Sequence, residues 1–435
     1  MFAALLYFWQ KVASDNPFRM NFNFMYRRSA LTISCIIAGV LVLTQCVNKQ
    51  TEKIPEEKKP DIALFAGSAA CAGCHKNIFE SHLHTAHYLT TRPALQQYIK
   101  GSFESGQNSF AYDSDRVVYM EKRDSSFYQV AYYKGIEKIT GRFDIVVGSG
   151  SKGQTYITRY HRELYQLPVS YFTAAHKWAN SPLYPTNPIV FNRPITSRCL
   201  ECHSTFAQVV SPEGAEPEEF DRQMIFGVDC EKCHGPGARH VAFQTQNPQA
   251  TKGQFILNPA TFTKQQNLDL CGLCHGGRLQ KSKPSFEFVS GDKLSDYFVL
   301  DTAAPNPDNI DVHGNQYGLL RSSKCFQMSQ TMICTTCHNP HENERGNIAL
   351  FSSRCVSCHG NGHDKICKLT SSIGPSIVGN CIDCHMPLKA SQSITELISG
   401  DQRPTAALIR SHLIKIYPAA NLPPKTGLSK KPLKS

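Results

Sequence analysis

Apolar positions in the first half of the chain gather into short runs rich in β-branched and aromatic residues. The clearest are Arg116-Val-Val-Tyr-Met120, Phe127-Tyr-Gln-Val-Ala-Tyr-Tyr133 and Phe143-Asp-Ile-Val-Val147. Turn formers such as Asp113-Ser114-Asp115 and Gly148-Ser149-Gly150 separate them, which predicts a small antiparallel sheet over about 108–167. Helical patterns are best at 76–99 and 392–413, the second interrupted by Gly400 and Pro404. Beyond the sheet the chain shows little periodicity and reads as short helical turns joined by Gly, Pro and Asn loops, as in Cys233-His-Gly-Pro-Gly237.

The N-terminus carries a different pattern. From Met25, taken as the true start, a positive segment with Arg27 and Arg28 precedes the apolar stretch Ala30 to Leu43 and then Cys46. That order reads as an export signal over 1–45. A cysteine at this place, followed by a charged linker over 46–66, predicts lipidation of Cys46, although Gln45 departs from the usual small residue. Four further segments follow: a first motif-bearing segment at 67–100, a β-rich insert at 101–170, a large domain at 171–415 and a basic mobile tail at 416–435.

The chemistry lies in the cysteines. Fourteen of the 18 fall in seven Cys-x-x-Cys-His motifs: Cys71/Cys74/His75, Cys199/Cys202/His203, Cys230/Cys233/His234, Cys271/Cys274/His275, Cys334/Cys337/His338, Cys355/Cys358/His359 and Cys381/Cys384/His385. Chance placement at this composition gives about 0.03 such motifs per chain. Two thiols three positions apart can each add to one vinyl group of a single haem, and the adjacent histidine then coordinates the iron. Zinc also uses Cys-x-x-Cys pairs but requires neither the adjacent histidine nor its unbroken repetition. The cofactors expected are therefore seven haem c groups, with iron. The intervals between motif starts, 128, 31, 41, 63, 21 and 26 residues, exclude a simple repeat array. The fold class expected is mainly irregular and α, a multihaem cytochrome c with a haem-organised core and the small sheet inserted between the first and second motifs.

The haems also change the meaning of the charge. A formal +11 suggests nucleic acid or an anionic membrane. Seven ferric haems with ionised propionates and loss of the export signal bring the mature protein to about +1, which excludes nucleic-acid binding.

Ten histidines remain after the seven proximal ones. His240, His341 and His363 each sit a few residues past a motif in a Gly or Pro turn and are candidates for the second face of an iron, as are His87, His313 and His412. His82 and His84 share a stretch with His87 at other helical angles and read as surface residues. His161 and His176 border the sheet, and His176 is retained as a candidate. Cys325 and Cys367 are left over, and in an oxidising compartment they are expected to form a disulfide. Gly148-Ser-Gly-Ser-Lys-Gly153 lacks the Walker spacing and reads as a β-turn.

Several pieces resemble a known family: Gly67-Ser-Ala-Ala-Cys71-Ala-Gly-Cys74-His75 with Thr85-Ala-His87, Cys230-Glu-Lys-Cys233-His-Gly-Pro-Gly-Ala-Arg-His240, Cys334-Thr-Thr-Cys337-His-Asn-Pro-His341, and Cys381-Ile-Asp-Cys384-His-Met-Pro387 with the later His412. The chain resembles the multihaem cytochromes related to the tetrahaem cytochrome c of ammonia oxidisers, in a wider group with hydroxylamine oxidoreductase and pentahaem nitrite reductase. The resemblance implies stacked haem pairs and bis-histidine ligation by His87, His240, His341 and His412. No Cys-x-x-Cys-Lys motif is present, so the catalytic haem of the nitrite reductases has no counterpart.

Two functions stay open. One is an electron carrier of the envelope of a Gram-negative bacterium, a periplasm-facing or surface lipoprotein held to the membrane by its lipid and serving redox partner proteins of a respiratory chain. The other is an oxidoreductase with one open haem acting on a small nitrogen or sulfur compound. Both require porphyrin on every cysteine pair. Mass spectrometry of the mature protein should accordingly find about seven haem masses above the polypeptide, and a colourless protein would overturn both.

Overall fold

The computed structural model describes residues 61–300, 306–360, 367, 369, 371 and 374–418. The export signal, Cys46, His363 and the chain from 419 onward lie outside the described residues.

Strands β1 (Thr91–Pro93) to β11 (Arg193–Pro194) all lie between the first and second cysteine motifs. Four of them, β2 (Ser109–Ala111), β3 (Arg116–Arg123), β4 (Ser126–Tyr133) and β5 (Ile136–Arg142), form an antiparallel meander. The local chemistry explains it. Lys134 and Gly135, at φ 50° and 76°, make a tight turn of the kind whose twist suits a two-residue hairpin. Val118, Met120, Phe127 and Val130 are buried, while Tyr119 and Tyr133 on the same strands are exposed.

A nine-stranded sheet packs beside the meander in the order β1, β6 (Ile145–Val147), β7 (Gly153–Tyr160), β9 (Val169–Phe172), β10 (Lys177–Asn180), β16 (Leu388–Ile398) and β17 (Thr405–Arg410). β8 (Glu163–Gln166) pairs with β7 and with β11. Between the two sheets lies an aromatic core in which Phe143 stacks on Tyr156 at 4.2 Å and Trp178 stands 5.5 Å from Tyr156. Gly101 passes so close to this indole that a Cβ there would lie 2.1 Å from Trp178 Cζ2. Gln129 of the meander is fully buried, and it donates to the Val169 carbonyl at 2.6 Å and accepts from the Val169 N–H at 3.0 Å. A buried amide is tolerated because both ends are satisfied, and this one joins the two sheets.

Three elements differ from the sequence expectation. Segment 392–413 is the β16/β17 hairpin, not a helix, with Gly400 at φ 89° in its turn. Pairing with β10 overrides a helical pattern already weakened by Gly400 and Pro404. In 76–99 the α-helix stops at His82, and Thr91-Arg92-Pro93 pairs with β6. The sheet is also larger than an insert, since its last two strands come from beyond the seventh motif.

The remainder is different in kind. β12 (Ser204–Val209) pairs with β13 (Phe220–Phe226), and β14 (Gln280–Lys281) with β15 (Phe298–Val299). Around them run short helices with small apolar clusters, such as Leu273, Leu294, Tyr297 and Phe298. Among the described residues no helix is long and apolar enough to cross a membrane.

One buried acid sits in the large sheet without a mate. Glu396 of β16 is 3% exposed, and its Oε2 has no hydrogen-bond partner. Burial pushes its carboxyl up to about 8. The folded state therefore holds a proton that the unfolded chain releases near pH 4.3, and stability falls as pH rises from there to about 8. Glu396→Gln should be more stable than the parent at pH 8 by about 2–4 kcal/mol in denaturant titrations, with the gap closing below about pH 4.

Candidate haem centres

A helix places positions i, i+3 and i+4 on one face, which is the spacing of the two cysteines and the histidine in each motif. Helices Ser197–His203, Cys230–His234, Lys264–His275, Ile348–His359 and Cys381–His385 each end on the histidine of a motif. The first motif begins in helix Ser68–Ala72, and the fifth begins in the 3₁₀ turn Cys334–Thr336.

The motifs pack on one another. Cys71 of the first is in side-chain contact with Cys230 of the third, Cys202 of the second with Cys274 of the fourth, and Cys271 of the fourth with Cys334 of the fifth. The fifth and sixth are joined by Arg354, which donates to the Cys337 carbonyl and pairs with Glu344. The Cys381 N–H of the seventh donates to Ser352 Oγ at 3.0 Å on the helix of the sixth.

Acidic residues inside the motifs fasten these contacts. Glu231 lies between Cys230 and Cys233 and is 5% exposed. It accepts from the N–H groups of Ala66 at 2.7 Å, Gly67 at 2.8 Å and Gly237 at 2.7 Å, so one carboxylate binds the entry to the first motif and the exit from the third. Glu201, inside the second motif and 1% exposed, accepts from Phe286 N–H at 2.7 Å and pairs with Arg198 at 2.9 Å. Arg198 in turn donates to the Leu273 carbonyl of the fourth motif at 2.8 Å. Buried ions of this kind persist because every one has charge-assisted partners. Their position within the x-x pair was the available signal.

The imidazoles carry the test of whether haem fits. A metal-binding histidine fixes one ring nitrogen to an acceptor and presents the other. Nδ1 of His203 meets Thr90 Oγ1 at 3.0 Å, His234 the Leu257 carbonyl at 2.9 Å, His240 the Gln254 carbonyl at 2.9 Å, His275 Gln316 Oε1 at 3.2 Å, His313 Ser393 Oγ at 3.1 Å and His385 the Lys415 carbonyl at 2.9 Å. With metal–nitrogen bonds of about 2.0 Å, two imidazoles on opposite faces of one iron have ring centres about 6.3 Å apart. His87 and His275 stand at 6.3 Å, His338 and His412 at 6.1 Å, and His234 and His341 at 6.1 Å. Burial pushes His87, His203 and His412 down to about 4, which favours the neutral ring that a metal requires. His412 Nδ1 is buried with no hydrogen-bond partner. The residues fit haem.

Comparison with known proteins agrees. The family model for cytochrome c554 and c-prime matches residues 186–235, a span that contains the second and third motifs complete. Over those residues the chain is similar to c-type cytochromes, the chemistry that its motifs predict. Its fold is similar to that in the crystal structure of the outer cell wall cytochrome OcwA, with a TM-score of 0.50 and 17% identity over 81% of this chain and 80% of that one. None of the curated proteins matches it.

Other expected site residues fall elsewhere. His82, read as a surface residue, is 7% exposed, with Nε2 3.6 Å from Asp229 Oδ1 and its ring 6.5 Å from His341. The helix it ends turns it inward against the third motif. His84 is exposed. His161 and His176, at φ 53° and 52°, occupy tight turns after β7 and β9, a backbone conformation that histidine tolerates. His176 is exposed, with Nδ1 3.5 Å from the Tyr171 hydroxyl, and none of the described ring contacts joins it to a motif histidine. The sequence placed it beside iron only by its proximity to the sheet. Of the two cysteines expected to bridge each other, Cys325 stands near Cys337 and Cys358, whereas Cys367 stands near Cys384. They belong to different motif neighbourhoods.

Glu231→Ala would strand three backbone donors at once. Denaturant unfolding of the holoprotein should show a loss of about 3 kcal/mol or more, and Glu231→Gln a smaller loss.

Proposed function

We propose that this electron-transfer cytochrome carries seven haems, one on each motif, and that they form one continuous conduit at the cell envelope. The observation that carries the reading is the succession of neighbouring motifs, most of them in contact. The first touches the third, Cys271 of the fourth lies within electrostatic range of Cys233 of the third, and the fourth, fifth, sixth and seventh follow in order. The second joins at the fourth as a side branch. Electron tunnelling falls off steeply with distance, so such a chain works only if every porphyrin has a neighbour close by. Porphyrin packing then supplies the apolar core that the short helices lack.

In this reading the iron pairs are His275 with His87, His338 with His412 and His234 with His341, while His240, His313 and His363 serve others. Bis-histidine irons are closed to substrate and suit electron passage. Grouping with the hydroxylamine oxidoreductase and pentahaem nitrite reductase cytochromes is supported by the motif matches and the cytochrome c554 model. Envelope placement is supported by the export pattern, by Cys46 as a lipid site and by a fold neighbour that is an outer cell wall cytochrome. Redox proteins of a respiratory chain are the partners.

Electron paramagnetic resonance of the oxidised protein tests the carrier reading. All seven haems should be low-spin, and His412→Ala should turn one of them high-spin with the haem count unchanged. One high-spin haem in seven in the parent would overturn it in favour of an oxidoreductase.

A further inference from the structure

The Nδ1 partners of the candidate iron ligands are not equivalent. Those of His203, His234, His240, His275 and His385 are a threonine hydroxyl, a glutamine amide oxygen and backbone carbonyls. His313 differs: its Nδ1 lies 3.1 Å from Ser393 Oγ, and Ser393 Oγ lies 2.5 Å from Asp311 Oδ2. The serine has one proton. It donates that proton to the carboxylate, so it must accept the N–H of His313.

The fold builds this triad on purpose-shaped backbone. The pairing of β16 with β17 breaks between Ala390 and Thr395, which frees the amides of the intervening residues. Asp311 captures them: Oδ1 accepts from Gln392 N–H at 3.1 Å, and Oδ2 from Ser393 N–H at 3.0 Å and from Ser391 Oγ at 3.4 Å. Oδ1 also accepts from His313 N–H at 3.2 Å. Every partner is a donor, as an ionised carboxylate requires. On the other side, Val312 is buried with Ile310, Leu319 and Leu413, and its carbonyl accepts from Gln316 at 3.0 Å. The imidazole is thus fixed by its backbone and by Nδ1, with Nε2 left to bind.

We infer that Asp311 and Ser393 are positioning residues that lower the reduction potential of the haem ligated by His313. A hydroxyl whose own proton is held by a carboxylate is a stronger acceptor than a neutral hydroxyl or carbonyl. It draws the Nδ1 proton and gives the ring imidazolate character, which strengthens donation from Nε2 to iron and favours the ferric state.

The inference rests on His313 being an iron ligand, and the experiment separates the two. Spectroelectrochemical titration and electron paramagnetic resonance are run on the full holoprotein. His313→Ala should turn one of the seven haems high-spin; an unchanged low-spin count overturns the ligation itself. Ser393→Ala should keep all seven low-spin, move the lowest-potential component upward and shift one set of g-values, and Asp311→Asn should act in the same direction. Ser393→Thr, which keeps the hydroxyl, should restore the parent values. Ligation that responds to His313→Ala together with potentials and g-values unmoved by Ser393→Ala overturns the relay, and a shift that Ser393→Thr fails to restore does the same.

Discussion

A cofactor bonded twice to the chain and once through its iron needs two thiols and an imidazole on a single face within little more than one helical turn, and this requirement governs how the rest of the protein can be built. A helix of five to twelve residues is enough to meet it, and such helices recur at the motifs. Helices this short are marginal by themselves. Their stability must come from what they pack against, and here each packs against another motif.

The contacts between motifs are electrostatic as much as apolar. Glu231 gathers three backbone amides from two motifs, and Arg198 reaches from Glu201 of the second motif to the backbone of the fourth. Arg354 performs the same task between the fifth and sixth. These ties fix distances between motifs as a conventional core fixes distances between helices. Under the proposed function, rigidity and conduction are two results of one arrangement, because the geometry that satisfies a buried ion also sets the separation of neighbouring motifs.

The β region contributes differently. Its aromatic core around Phe143, Tyr156 and Trp178 is an ordinary one and folds on side-chain burial. Its value to the cofactor sites lies at its borders. Thr90, just before β1, holds His203, and the irregular part of β16 supplies Ser393 to His313. The hairpin that follows the seventh motif thereby connects the two halves of the molecule, with Glu396 as a buried acid within it.

Strands around Val118, Phe127 and Val146 were legible because β-branched and aromatic residues there stand between strong turn signals. The hairpin at 388–410 was not, because its helical pattern yields only to a partner, β10, some two hundred residues earlier. Buried His82 and the turn residue His176 show the same limit: a histidine has similar chemistry in a core, a turn or an axial site, and its neighbours decide which. By itself the sequence determined the candidate attachment sites, since thiol and imidazole spacing is local and the motif recurs seven times. Tertiary structure alone decided which imidazoles stand together, which acids are buried and which motifs touch, because imidazole pairing, amide capture by a carboxylate and motif contact all join residues far apart in the chain.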